Sequence, residues 1–206
     1  MTHRTSMGMR REQALLAEGC RYVCGVDEAG RGPLAGPVAA AACILDPLRP
    51  IAGLDDSKKL TPRQREYLYD EITAAAISWS VELVPPQEID RVNILQATIA
   101  GMERAVLKLD PLPDYALIDF VPLKSFPVPY ETVVKGDATC DSIAAASVLA
   151  KVTRDRCMAD LDSQYPGYGF GRHKGYPTKA HYAALDALGP CPEHRRSFLT
   201  RWAGRG

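Results

Sequence analysis

The sequence predicts an α/β domain with a mixed sheet at its centre, flanked by helices and carrying a small helical extension at the C-terminus. Three observations lead there. Short apolar runs of strand length alternate with longer segments whose apolar residues recur at helical spacing. Gly and Pro clusters separate the two kinds of segment. The 206-residue chain contains no internal repeat and no low-complexity segment. A chain of this length suits one domain of the usual ~100–200 residues, with residues 20–190 expected as its core and 191–206 as the helical tail.

Residues 10–18 (RREQALLAE) read as a short helix stopped by Gly19. Residues 21–27 (RYVCGVD) then alternate like a strand, and Gly30-Arg31-Gly32-Pro33 turns the chain at once. Val38 to Leu45 reads as a buried strand. Thr61-Pro62 starts a helix, because a hydroxyl N-cap is followed by proline at the first helical position, and the helix is expected to reach Ala76. Strand alternation returns from Ile77 to Val84, where Pro85-Pro86 ends it. Residues 93–109 carry a helical pattern, and Tyr115 to Asp119 is an apolar run closed by a carboxylate. A strand is expected at Thr132 to Val134. Ser142 to Leu161, rich in Ala, Val and Leu, predicts a long helix with a small-residue packing face. Residues 165–178 (YPGYGFGRHKGYPT) hold four glycines, two prolines and four aromatics and are expected to be loop throughout. A last helix, Lys179 to Leu188, stops at Gly189-Pro190.

Lys+Arg and Asp+Glu both number 25, so the formal net charge is zero, which excludes a uniformly basic nucleic-acid-binding domain. That neutrality is a cancellation. Residues 1–150 hold 15 basic and 20 acidic residues, whereas residues 151–206 hold 10 basic and 5 acidic. Such a split hints at a polyanionic partner; an unevenly composed solvated surface is the alternative. The six cysteines form no CxxC pair and no repeated spacing with histidine, so neither a zinc site nor a redox motif is expected. No signal-peptide pattern and no stretch of ~20 apolar residues is present. A cytoplasmic protein with reduced thiols and no membrane association is expected.

The sharpest chemical feature is Val26-Asp27-Glu28-Ala29-Gly30-Arg31-Gly32, two adjacent acids at the end of an apolar strand followed by a glycine-flanked arginine. Gly30, Gly32 and Gly36 imitate a dinucleotide fingerprint, but Pro33 and Pro37 forbid the helix that would present its N-terminus to a pyrophosphate. Carboxylates beside glycines that admit close phosphate approach instead suit a divalent-metal phosphoryl site, with two surface acids at a turn as the alternative. Asp119 and Asp137 occupy comparable strand ends. Hard dications such as Mg²⁺ or Mn²⁺ take a few carboxylates and waters, and two ions ~3.5–4 Å apart can activate water and stabilise a leaving oxygen. Asp137 alternatively complements the dipole of the following helix, and Asp141 is the stronger candidate for that role. Tyr165, Tyr168, Phe170 and Tyr176 are interleaved with Arg172, His173 and Lys174, a combination that stacks on sugars or bases while neutralising phosphates, with a generic Gly/aromatic surface loop as the alternative. In Asp55-Asp56-Ser57-Lys58-Lys59 the lysines are phosphate contacts or a solvated turn, and His194-Arg195-Arg196-Ser197 is a phosphate cluster or a charged helix start.

These residues together resemble bacterial ribonuclease HII, the type 2 ribonuclease H. The resemblance runs from about Tyr22 to Phe198 and includes GVDEAGRGPLAGPV at 25–38, DDSKKLTPRQRE at 55–66, IAAASVLAKVTRDR at 143–156, YPGYGFGRHKGYPTKAH at 165–181 and HRRSF at 194–198. It implies an RNase H-like fold and a two-metal endonuclease using Mn²⁺ or Mg²⁺. Such an enzyme cleaves the RNA strand of RNA/DNA hybrids and incises duplex DNA 5′ of a single ribonucleotide, giving 3′-hydroxyl and 5′-phosphate ends, as in ribonucleotide removal from DNA. By the same resemblance Asp27, Glu28, Asp119 and Asp137 are the metal-holding catalytic carboxylates. Gly30, Arg31 and Gly32 form the ribonucleotide-reading turn, Lys58 is a substrate contact, and Tyr176 packs on the deoxyribose that follows the ribonucleotide. A monomer is expected, with a sliding-clamp contact through the tail as a further option. Phe120 stands where the family usually has glycine, directly after the third acid, and is expected to shift the strand end or the local substrate path. The extra N-terminal domain of type 3 enzymes is not expected from the short segment before the first strand. A hybrid-binding module without catalysis and a DNA nuclease on the same fold are the competing functions.

Overall fold

The computed structural model describes residues 9–119 and 123–203. Phe120 and the last three residues of the expected tail lie outside the described residues. The elements run α1 (Arg10–Ala17), β1 (Val23–Ala29), β2 (Val38–Ile44), α2 (Pro62–Ala75), β3 (Ser78–Val84), α3 (Pro86–Val92), α4 (Ile94–Leu107), β4 (Tyr115–Ile118), β5 (Tyr130–Thr132), α5 (Asp141–Gln164), α6 (Phe170–His173), α7 (Lys179–Leu188) and α8 (Thr200–Ala203). The five strands form one mixed sheet in the order β3-β2-β1-β4-β5. The first three strands are an antiparallel meander, and β4 and β5 add in parallel beside β1.

Small residues let helices approach both faces of this sheet. β2 is buried at every position, and its side chains alternate between faces as the pleat requires. Ala39, Ala41 and Cys43 pack with the middle of α5 and with Leu68 and Ile72 of α2. Ala40, Ala42 and Ile44 pack with Met102, Ala105 and Val106 of α4. A β-carbon on Gly25 would fall 2.1 Å from the carbonyl carbon of Ser142, so only glycine admits the first turn of α5 against β1. The Thr61 N-cap is as expected: its side chain accepts from the Gln64 N–H while Gln64 accepts from the Thr61 N–H, a reciprocal capping box. No helix among the described residues is long and apolar enough to cross a membrane.

Three expectations need correction. Pro86 begins a helix as well as ending a strand, because proline is well suited to the first helical position. The resulting α3 is separated from α4 by Asn93, which adopts φ 72° and accepts from the N–H groups of Leu95 and Gln96. The fifth strand lies at Tyr130–Thr132, two residues earlier than expected. There it pairs with Ala116–Ile118, and Val133 already opens the turn closed by the Gly136 N–H. Residues 165–178 are not loop throughout, since Phe170–His173 forms one helical turn.

Candidate active site

Strand register assembles the carboxylates. Val26 pairs with Ile118, so Asp27 and Asp119 emerge side by side where the parallel pairing of β1 and β4 ends, and the Asp119 N–H donates to the Val26 carbonyl at 3.1 Å. β5 then leads through a tight turn to Asp137, whose N–H donates to Asp119 Oδ2 at 3.3 Å. All four expected acids therefore gather in the middle of the sheet, where the pairing of β1 with β4 ends, and Asp137 belongs to this group as well as standing ahead of α5. Asp141, the rival candidate, is pushed up to about 6 by burial and then by the charge of Glu12.

The electrostatics are those of an under-compensated cluster. Asp27 is buried and its Oδ1 accepts from the Glu28 N–H at 2.7 Å; burial first, then the Glu28 charge, hold its carboxyl well above the ordinary range despite a hydrogen bond from Ser147. Ser147 in turn meets Ser57 at 2.8 Å. Glu28 is pushed up to about 7 by burial, against the pull of Arg31, whose Nη1 lies 3.7 Å from Oε1. Asp137 is pushed up to about 6 by burial and by Asp56. Lys58 Nζ stands 3.8 Å from Asp137 Oδ2; burial opposes its charge, but Asp56, Asp137, Asp27 and Asp119 more than offset that and hold it above its ordinary value. Asp56 is thus a fifth acid at the site.

These residues fit a divalent cation. Glu28 Oε2 is buried without a hydrogen-bond partner, and an orphaned carboxylate oxygen inside an acid cluster requires a positive ligand or a proton. The donors are all oxygens, as hard dications prefer. Among the described residues no group of three or more acids, histidines or cysteines already stands in the arrangement of a metal site.

Beside the acids, the Gly30–Gly32 turn is pinned from beneath. Arg195 is fully buried, and its guanidinium donates to the carbonyls of Gly30 (2.6 Å), Arg31 (2.9 Å) and Gly36 (3.0 Å). Arg154, also buried, donates to Pro37, Ala35 and Lys174. A β-carbon on Gly30, which has φ 93°, would lie 2.0 Å from Arg154 Nε. The Tyr176 ring overhangs this turn: a β-carbon on Gly32 would sit 3.7 Å from Tyr176 Cε1, and Tyr176 is 43% exposed.

The aromatic and basic segments correct two expectations. Tyr168 and Phe170 do not face solvent; they stack on each other in a core with Met158 and Leu161. Tyr176 alone of the four is both largely exposed and beside the glycine turn. Arg195 is no phosphate ligand, because backbone carbonyls occupy its guanidinium, and Arg196 opens a 3-10 turn. The remaining cations of the region do converge: Arg65, Lys151, Arg156, Arg172 and Lys174 line a groove of about 530 Å³ with Glu66 and Asp155. Sequence reasoning missed the roles of Arg154, Arg195, His194 and Asp56. Their one legible signal was membership of long motifs, which does not distinguish a ligand from a brace.

Residues 24–203 match the family model described as Ribonuclease HII. The chain is 61% identical over 176 residues to a ribonuclease HII of Acidovorax sp. (strain JS42), covering 85% of this chain and 84% of that protein. Among solved structures it resembles ribonuclease H2 from Pyrococcus horikoshii OT3, with TM-score 0.70 and 32% identity over 85% of this chain and 93% of that one. It shares the fold of Bst-RNase HIII in complex with Mn²⁺, with TM-score 0.68 and 18% identity over 90% and 71% of the respective chains.

Proposed function

Because the chain belongs to the ribonuclease HII family of RNase H-type endonucleases, we propose that it cleaves the RNA strand of RNA/DNA hybrids and incises duplex DNA 5′ of a single embedded ribonucleotide. The products are 3′-hydroxyl and 5′-phosphate ends, and the role is removal of ribonucleotides from DNA. One observation carries the reading: Asp27, Glu28, Asp119 and Asp137 gather beside a glycine turn that Tyr176 overhangs.

Asp27, Glu28, Asp119 and Asp137 are the residues that would hold the ions, Mg²⁺ or Mn²⁺. Bound there, the metal supplies an activated water and charge stabilisation for the leaving oxygen. The protein's own contribution is orientation. The Glu28 N–H and Ser147 fix Asp27, and the Asp137 N–H fixes Asp119. Lys58 and Arg31 stand at the rim of the acids, where each can meet a phosphate oxygen. A 2′-hydroxyl both donates and accepts, and the backbone of Gly30 to Gly32 offers both functions where no β-carbon blocks approach. Tyr176 presents a ring face to the neighbouring sugar, and an added hydroxyl there would hinder its packing. The cationic groove beyond Lys151 supports backbone contacts that ignore base sequence.

The test is a pair of isosteric variants. Asp27→Asn and Asp137→Asn are expected to abolish cleavage of a duplex with one ribonucleotide while leaving hybrid binding intact. Full activity in both would sink the carboxylate assignment, and an all-DNA duplex cut as readily as the hybrid would favour a different nuclease on this fold.

A further inference from the structure

Two buried histidines, His181 and His194, and the half-buried His173 lie outside the carboxylate cluster, and their hydrogen bonds admit a single protonation pattern. His181 Nδ1 is 3.0 Å from the Tyr176 carbonyl, an acceptor only, so Nδ1 carries the proton. The Cys191 N–H donates to His194 Nδ1 at 3.0 Å, so that nitrogen is bare and the His194 proton resides on Nε2. His194 Nε2 and His181 Nε2 are 3.0 Å apart, and the two assignments are complementary: His194 donates and His181 accepts. His173 obeys the same logic, accepting from the Gly175 N–H at Nδ1 and donating from Nε2 to the Tyr168 carbonyl. A second proton on either relay ring would set two N–H groups head to head. Burial and the neighbouring ring push His194 down to about 4, in keeping with a neutral relay.

The relay runs from the Cys191 N–H through His194 and His181 to the Tyr176 backbone. The next residue, Arg195, holds the carbonyls of Gly30 and Arg31. Two consecutive residues of the C-terminal segment therefore grip both halves of the proposed junction reader, the glycine turn and the tyrosine loop. Two further main-chain bonds seat this segment on the chain beyond the turn, Arg195 N–H to Leu34 at 2.8 Å and Gly36 N–H to Glu193 at 2.8 Å.

We propose that His194 and Arg195 are positioning residues that set the spacing between the Gly30–Gly32 turn and the Tyr176 ring, and thereby the preference for a ribose–deoxyribose junction. This rests on the proposed reading of Tyr176. Neither residue touches substrate; each acts through main-chain carbonyls.

Two measurements test it. In the wild-type protein, ¹⁵N imidazole shifts are expected to report His181 as the Nδ1–H tautomer and His194 as the Nε2–H tautomer, both neutral at pH 6.5; the opposite tautomers or an imidazolium would overturn the relay. The second is the ratio of kcat/KM on a single-ribonucleotide duplex to kcat/KM on a long hybrid. His194→Phe, which keeps ring shape and deletes both hydrogen bonds, is expected to lower that ratio about tenfold, the scale of one or two lost buried hydrogen bonds. His194→Gln, whose amide can still donate to His181, is expected to recover most of it. An unchanged ratio in folded His194→Phe overturns the positioning role. Tyr176→Ala, measured alongside, separates the two ideas: if it leaves the ratio unchanged the reading of Tyr176 fails, and if it lowers the ratio while His194→Phe does not, the positioning inference alone fails.

Discussion

Asp137 donates its backbone N–H to the Oδ2 of Asp119 at 3.3 Å. This bond joins the end of β4 to the turn before α5, so the third acid is oriented by the main chain of the fourth. Side-chain substitution at Asp137 leaves that N–H in place. Asp137→Asn is therefore expected to inactivate while Asp119 keeps its orientation, and a crystal structure of the variant should show Asp119 unmoved.

The metal-free acid cluster works against folding. Glu28 has an ordinary carboxyl value of 4.5 and is pushed up to about 7 in the folded protein, so the folded state holds the proton more tightly. Its destabilisation is absent below about pH 4.5, grows as pH rises, and is complete above about pH 7. Glu28→Gln is expected to stabilise the EDTA-treated protein by on the order of 2–3 kcal/mol at pH 8, or about 5–10 °C in Tm. Scanning calorimetry at pH 8 and pH 5 checks this; an equal gain at both pH values contradicts it.

Protons and cations compete for the same oxygens. Asp137 is pushed up to about 6 and Glu28 to about 7, so lowering the pH from 8 to 6 is expected to weaken Mn²⁺ binding roughly tenfold or more. Calorimetric titration of Mn²⁺ at the two pH values measures the effect. An unchanged Kd would mean that these carboxylates are not the ligands.

Gly25 sets the depth of α5. A methyl group there would lie 2.1–2.3 Å from the backbone of Ser142 and Ile143, where no rotamer relieves the contact. Gly25→Ala is expected to cost more than about 4 kcal/mol, beyond the usual range of single substitutions, and to leave little soluble protein. A soluble variant with wild-type Tm would show that the helix can shift.

Legibility in the sequence followed locality. Asp27 and Asp119 stand at the ends of apolar runs, so strand reasoning finds them, and the Thr61 cap is legible in two adjacent residues, Thr61 and Pro62. Asp56 was not recognised because its nearness to Asp137 depends on packing between segments some 80 residues apart in the chain. Arg195 reads as part of a phosphate cluster or of a charged helix start, and Arg154 carries no signal of its own, since composition does not show that backbone carbonyls at Gly30, Ala35 and Pro37 await them. Phe170 reads as a stacking platform for the same reason, and burial made it core. The zero net charge acquires a different meaning: several of the acids gather in one cluster, and two of the basic residues, Arg154 and Arg195, are buried.

The most direct test is product-end analysis on a duplex containing one ribonucleotide, with Mg²⁺ and with Mn²⁺ in turn. A single cut 5′ of the ribonucleotide, leaving a 3′-hydroxyl upstream and a 5′-phosphate on the ribonucleotide, is the predicted result. Cleavage 3′ of the ribonucleotide, a cyclic phosphate end, or cutting that persists in EDTA would contradict the account.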